Sequence, residues 1–306
     1  MTGFGMRRMV QMLVVALAWC LWPAAAQAQY PCNGPGPGER MVGMTQGGNG
    51  VAPIPLCVRD DSGAASAPAP APNNSYAAMA WHPDAADIWV DGNYLGSNNA
   101  GETEALAACN AVMGSGCTAA GTWWNSSMTV IRDRQGYFYK GWAGDGGAER
   151  KQVLAECSAK QLLPCEVFAT IRSSTNRRFP GGAARKYFAA SAWVDGAVAD
   201  GYDGKLYVAS GYRSADEATA AAIKACADAT KRKCGSNALT GNGFIQAYRL
   251  NGGDDSATVE TSAKRAKAAA EANCKKQKSQ SCELQALFDS RTPGLFVHDF
   301  NAAGGT

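Results

Sequence analysis

The sequence predicts an α+β protein of two tandem repeats. Each repeat reads as an antiparallel sheet with two helices on one face, in the order β-β-α-β-β-α-β, stapled by disulfides. Three observations carry this reading. Cysteines recur in pairs of one spacing, Cys109/Cys117, Cys157/Cys165, Cys226/Cys234 and Cys274/Cys282, each pair eight positions apart. The first and second pairs lie 48 positions apart, as do the third and fourth, and the whole set repeats after 117. Between the cysteines, Ala-rich stretches of helical period alternate with short runs of aromatic and β-branched residues. A duplicated domain, itself built from two half-units, produces such a grid.

The N-terminus comes first. Arg7 and Arg8 precede an uncharged apolar run, Met9 to Trp22, followed by Pro23 and Ala26-Gln27-Ala28. That order is an export signal over residues 1–28. The run is too short for a mature membrane span, which needs about 20 residues, and the bulky Trp19 argues against lipid attachment at Cys20. The signal holds two of the 29 basic residues and none of the 26 acidic ones, so the mature chain carries a net charge of +1. Overall attraction to nucleic acid or to anionic lipid is not expected.

Removing the signal leaves ten cysteines, an even number for an exported chain in an oxidising compartment. Disulfides fit them better than zinc, which wants close C-x-x-C or His pairs. The chain has no C-x-x-C and only His82 and His298. No metal and no cofactor is expected.

Residues 29–60 hold Cys32 and Cys57 in a Gly/Pro-rich stretch, predicted as an irregular loop closed by one disulfide. Residues 61–75, with Ala67-Pro68-Ala69-Pro70-Ala71-Pro72, read as an extended linker. The repeats occupy 76–175 and 186–300. Each opens with a strand of small residues and one aromatic, Tyr76 to Trp81 and Phe188 to Trp193, suited to close packing against a helix. A second strand follows (Ile88 to Leu95; Leu206 to Tyr212), then an Ala-rich helix. In the second repeat that helix starts at an S-x-x-E capping box, Ser214 and Glu217.

Each helix is expected to end at the first cysteine of its pair, with the second cysteine opening the next strand. A bridge there closes a short loop and contributes about 2.5 kcal/mol on the chain-entropy model. A hairpin then joins the half-units: Met128 to Arg132 and Tyr137 to Trp142 flank Arg134-Gln135-Gly136. The two grids align here without a gap, Asn125 on Asn242, Arg132 on Arg249 and Gly136 on Gly253. The matched glycines predict a turn with positive φ.

The A-A-x-A-W strand, the Ala-rich helix ending in Cys and the second Cys a short loop later resemble the exported bacterial family called domain of unknown function 4189. The resemblance extends over both repeats, with the cysteines its most specific part, and residues 30–57 resemble an N-terminal extension seen with that family. It implies a secreted or periplasmic location in a Gram-negative bacterium and an α+β fold. It implies no reaction and supplies no catalytic residues.

No catalytic motif is found. G-x-S-x-G, S-x-x-K and H-E-x-x-H are absent. His82, beside Pro83, Asp84 and Asp87, reads as a solvated turn, and Asp254-Asp255 as turn-stabilising. The basic run Lys264-Arg265-Lys267 and Lys275-Lys276-Lys278 reads as a solvated helix face, or more sharply as a contact for an anionic envelope polymer or acidic partner.

The aromatic residues are unevenly shared. Trp89, Trp123, Trp124 and Trp142 lie in the first repeat with Tyr137 and Tyr139 and have no tryptophan counterparts in the second. In a single-layer sheet with helices on one side, both faces of an aromatic strand cannot be core, so these six residues are the candidate binding surface. The expected function is a non-enzymatic binding protein of the envelope, an inhibitor or immunity-type partner of a secreted protein, or a ligand of cell-wall glycan. The alternatives are a peptidoglycan-directed hydrolase or toxin and a passive structural protein.

Overall fold

A computed structural model of the chain describes residues 28–47, 52–59, 74–94, 98–143, 147–195 and 202–302. The predicted signal and the Ala/Pro linker lie, but for their last residues, outside the described residues. The chain divides into two compact units, Met1–Asn73 and Asn74–Thr306.

In the first unit, strands β1 (Tyr30–Pro31), β2 (Glu39–Met44) and β3 (Pro55–Arg59) form an antiparallel sheet in the order β1-β3-β2. The irregular loop expected here is therefore a small sheet. The glycines make defined turns, with positive φ at Gly34 and Gly38. The Cys32–Cys57 disulfide joins the end of β1 to its neighbour β3.

The second unit opens with β4 (Tyr76–Trp81), β5 (Trp89–Tyr94), α1 (Asn98–Met113) and β6 (Thr118–Trp124), and its three strands pair antiparallel as β5-β4-β6. The same ββαβ path follows in β7 (Ser127–Arg132), β8 (Phe138–Ala143), α2 (Ala148–Ser158) and β9 (Glu166–Arg172), ordered β8-β7-β9. It recurs in β10 (Phe188–Val194), β11 (Lys205–Tyr212), α3 (Ala215–Thr230) and β12 (Cys234–Gly241). It recurs again in β13 (Phe244–Leu250), β14 (Asp254–Glu260), α4 (Ala263–Lys276) and β15 (Cys282–Asp289), ordered β14-β13-β15. A last strand, β16 (Gly294–Asp299), extends the third sheet to β12-β10-β11-β16. The first strand of each path is central to its sheet.

This differs from the expected β-β-α-β-β-α-β by one strand in each half. The run after the second cysteine stops at Asn125 or Asn242, both with positive φ, before the next strand begins. The Asn125 amide donates to the Ser75 carbonyl oxygen, and Asn125 Oδ1 accepts the Ser75 amide at 3.0 Å; Asn242 does the same with Tyr187, at 2.8 Å on Oδ1. A left-handed Asn with a short polar side chain is suited to such a corner.

Nor do two helices share one face of one sheet. In the second half, Ala190, Ala192 and Val194 of β10 pack with Ala218, Ala222 and Cys226 of α3. The other face of that sheet, with Ala189, Leu206 and Val208, meets Ile245, Ala247 and Val259 of the next sheet. The far side of that sheet, Tyr248 and Leu250, packs on Ala270 and Cys274 of α4. The layers run helix, sheet, sheet, helix. The first half is layered alike, with Ala80 and Trp89 against α1, Met79, Val90, Trp123, Met128 and Val130 between the sheets, and Ile131 against Val153 and Leu154 of α2. Each central strand is buried on both faces, which is why β4 and β10 read as runs of mostly small, uncharged residues without alternation.

All five expected disulfides are formed, Cys32–Cys57, Cys109–Cys117, Cys157–Cys165, Cys226–Cys234 and Cys274–Cys282, with Cα–Cα separations of 5.9–6.1 Å. Their places in the elements differ from expectation at both ends. The helices run one to four residues past the first cysteine instead of ending on it. Cys234 and Cys282 open their strands as expected, but Cys117 and Cys165 do not: β6 begins one residue after Cys117, at Thr118, and β9 one after Cys165, at Glu166. The reason is a competing side-chain acceptor on the preceding helix. The Cys117 amide donates to Asn110 Oδ1 at 3.2 Å, and the Cys165 amide to Ser158 Oγ at 3.0 Å.

Ser214 caps α3 by accepting from the Glu217 amide at 3.2 Å, and Ser262 caps α4 at the Arg265 amide. At the hairpins Gly136 has φ +87°, but in the second half positive φ falls on Asn251 and Gly252, not on Gly253, because the ladder there runs one pair further, to Leu250 and Asp254, and closes a tighter turn in the same register. Among the described residues no helix is long and apolar enough to cross a membrane. Five disulfides fit a compartment outside the cytoplasm.

Candidate functional site: a cleft at the seam of the two halves

The halves meet where the segment after α2 reaches the start of α4. Arg132 donates to Glu166 at 3.1 Å, Arg265 lies 3.6 Å from Glu166, and Arg265 Nε donates to Glu260 at 2.9 Å. Arg265 also reaches the Pro164 carbonyl oxygen at 2.7 Å. Burial raises the Glu260 carboxyl, whose side chain is fully covered. Burial also works to raise Glu166, but bonds from Thr261, Arg265 and Arg132 hold it below the usual carboxylate value. Alternating charges thus tie the two halves together through three partly exposed groups and one, Glu260, withdrawn from water.

Beside this ion chain lies a cleft of about 380 Å³. Arg134, at the tip of the β7–β8 hairpin, and Lys160 and Gln161, just past α2, come from the first half. Tyr248 of β13, Ser256 and Thr258 of β14, and Asn273 and Lys276 of α4 come from the second. No carboxylate lines it among the described residues, and among them Arg134, Lys160 and Lys276 have no ion pair. Tyr248, almost fully buried, accepts from Asn273 Nδ2 at 2.6 Å and shares a bond of 3.0 Å with Ser256. Two hydroxyls with one bond between them leave one hydroxyl hydrogen unspent, a donor for whatever enters. Three cations, an amide and a spare hydroxyl in a site without acids make a set of donors for an oxyanion.

Arg134, Lys160 and Gln161 also border a smaller cleft of about 210 Å³, walled by Tyr139, Asp133, Val153 and Glu156. There the Tyr139 hydroxyl lies 3.3 Å from Asp133 Oδ2, and burial followed by the Asp133 charge raises the phenol.

The six aromatic candidates do not form one strip. Trp89 and Trp123 are fully buried, the first against α1 with its indole donating to the Pro180 carbonyl at 3.0 Å, the second between the sheets. Their faces are covered because each sheet has a helix on one side and a sheet on the other. Trp124 is 49% exposed and leans on Tyr76, and Tyr139 is 45% exposed at the smaller cleft. Tyr137 is half-buried beneath the Lys186 ammonium. Trp142 sits opposite Met128 on β8, and its side chain lies outside the described residues. His82 is confined to its turn, where Nδ1 accepts the Asp84 amide at 3.0 Å. His298 shares a bond of 2.5 Å with Gln285.

Of the seam cleft, only Lys276 stood out in the sequence, within the basic run. One further signal was present. In the gapless alignment Tyr248 falls where the first half has Ile131, a hydroxyl in a core position. Arg134, Lys160, Ser256 and Asn273 carry no local mark, because strands and loops 90 to 140 residues apart bring them together.

None of the curated proteins matches the chain, and neither does any solved structure. Residues 76–171, the whole of the first half but for its last residues, match the family model described as a domain of unknown function (DUF4189).

Proposed function

We propose that the chain is an exported, non-enzymatic binding protein of the bacterial envelope, built from two copies of this family domain, and that its ligand presents an oxyanion to the seam cleft. The observation that carries the reading is the acid-free lining among the described residues: three cations without ion pairs there and a spare hydroxyl, contributed by both halves. In water such cations stay hydrated; in a recess beside an ion chain they gain more from a carboxylate, phosphate or sulfate than from solvent. Envelope polymers and the acidic faces of secreted proteins both carry such groups. Inhibition of, or immunity to, a secreted partner is the role that the second source implies.

Calorimetric titration of the mature protein with polygalacturonate, against neutral dextran, tests the reading. The acidic glycan is expected to bind and dextran not. The exposed double variant Lys160→Glu/Lys276→Glu should lose at least about tenfold in affinity while melting at the same temperature. Unchanged affinity in that variant would remove the seam cleft from the binding site.

A further inference from the structure

The two halves differ at one matched place. In the first half, Pro83, Asp84, Gly136, Tyr137 and Phe138, the last backed by Trp81, lie around Lys186, which enters from the segment before β10 and is 2% exposed. Its ammonium donates to the Pro83 carbonyl oxygen at 2.8 Å, and its backbone amide to the Asp84 carbonyl oxygen at 2.9 Å. The nitrogen lies 4.7 Å from the centre of the Tyr137 ring and 5.5 Å from that of Phe138. A cation over two aromatic faces is a recognised way of holding an ammonium out of water.

Strand register locates the counterpart in the second half. Ala80 faces Trp89 as Ala192 faces Tyr207, which sets Trp193 on Trp81; counting into the connecting loop from each strand then brings Asp195 to Pro83 and Tyr202 to Asp84, the second loop being six residues longer. The cysteine grid sets Gly253, Asp254 and Asp255 on Gly136, Tyr137 and Phe138. These six residues, with Val194, line a cleft of about 270 Å³. Among the described residues no lysine lines this one. Trp193 and Tyr202 meet edge to face at 6.3 Å and supply the aromatic walls. Where the first half has the Tyr137 and Phe138 rings, the second has two carboxylates. Asp255 is taken up by Arg249 at 2.6 Å and Asp195 by exposed Lys233 at 3.3 Å. Asp254 has no ion pair among the described residues.

We propose that this cleft binds a primary ammonium on an alkyl stem, in the place that Lys186 fills in the first half. The chain supplies its own mimic of the ligand on one side and leaves the matching recess open on the other, with carboxylates added. A lysine side chain of a polypeptide and a free alkylamine share this chemistry. The site is separate from the seam cleft and stands without it.

The test is titration of the mature protein with Nα-acetyl-lysine methylamide, followed by calorimetry and by the indole N–H resonance of Trp193. The probe should bind and shift that resonance. Its Nε-acetylated, neutral counterpart should bind at least about tenfold more weakly, as should the ammonium probe to Asp254→Asn, a change at an exposed residue expected to leave the melting temperature unchanged. Cadaverine in a parallel titration separates the sources: equal affinity supports a free amine, weaker affinity a polypeptide lysine. No binding of either amine, no shift at Trp193, or equal binding of the acetylated probe overturns the proposal. A melting temperature lowered in Asp254→Asn would pass the charge test to Asp254→Glu, which should bind the ammonium probe as the parent does; loss of binding there also overturns it.

Discussion

Lys186 sits at the first half's closed recess with one hydrogen bond for three N–H groups and two aromatic rings beneath it. Burial pushes its pKa down to about 8, although Asp133 and Asp84 pull the other way. Its folded value is thus below the unfolded one of about 10.5, and the unfolded chain holds more protons between those values. Stability should therefore rise as pH climbs from 8 to 10, by at most about 1.4 kcal/mol per pH unit. Denaturant melts of the protein and of Lys186→Met across that range check it. The difference between the two should grow with pH, and parallel curves would remove the lysine as its source. Residues of this kind show the limit of reading a sequence. Lys186 opens the second repeat just ahead of its first strand, where nothing local marks a buried cation, and only the approach of segments from far along the chain buries it. Trp89 and Trp123 mark the same limit from the other side, since nothing local tells a core tryptophan from a surface one.

At the level of elements, much was legible. The cysteine grid marks the four helix-to-strand corners, and the small residues of β4 and β10 foretell close contact with a helix, as Ala80 with α1 and Ala190 with α3 show. The strand starts were legible only to within a residue, because the bonds from Cys117 to Asn110 and from Cys165 to Ser158 are invisible in the spacing. The corners formed by Asn125 and Asn242 were hidden, because one left-handed Asn in an extended run looks like more strand. Removing the bridge over α3 and β12 with Cys226→Ala/Cys234→Ala should cost about 2.5 kcal/mol of stability in a chemical melt. A loss near zero would mean that packing of Ala218 and Ala222 alone fixes that corner. The seam predicts a sharper asymmetry. Arg265→Ala leaves the covered Glu260 carboxylate without its partner and should destabilise by about 3–5 kcal/mol. Adding Glu260→Gln to it should restore part of that loss, and a double variant no better than the single would deny the coupling.

For the whole molecule, the order of layers decides what is surface. Both sheets of each half are covered by a helix outside and by each other inside, so the aromatic surplus of the first half went largely into its core. The sequence shows which strands have two apolar faces; it does not show what lies on each, because the second face is filled by a sheet that begins some fifty residues later. Residues 74–306 form one compact unit joined by ion pairs at the seam. Calorimetry should accordingly show one cooperative transition for them, and two resolved peaks would mean that the halves unfold independently.

The staples also decide what a cut would do. The loops closed by Cys157–Cys165, Cys226–Cys234 and Cys274–Cys282 contain Lys160, then Lys231, Arg232 and Lys233, then Lys275, Lys276 and Lys278. These are exposed, basic bonds of the kind that trypsin-like proteases attack first. Each lies inside a covalent ring. A protein nicked there would keep every fragment, migrate intact until reduced, and hold both sides of the seam in place: a molecule that can be broken in the chain without being taken apart.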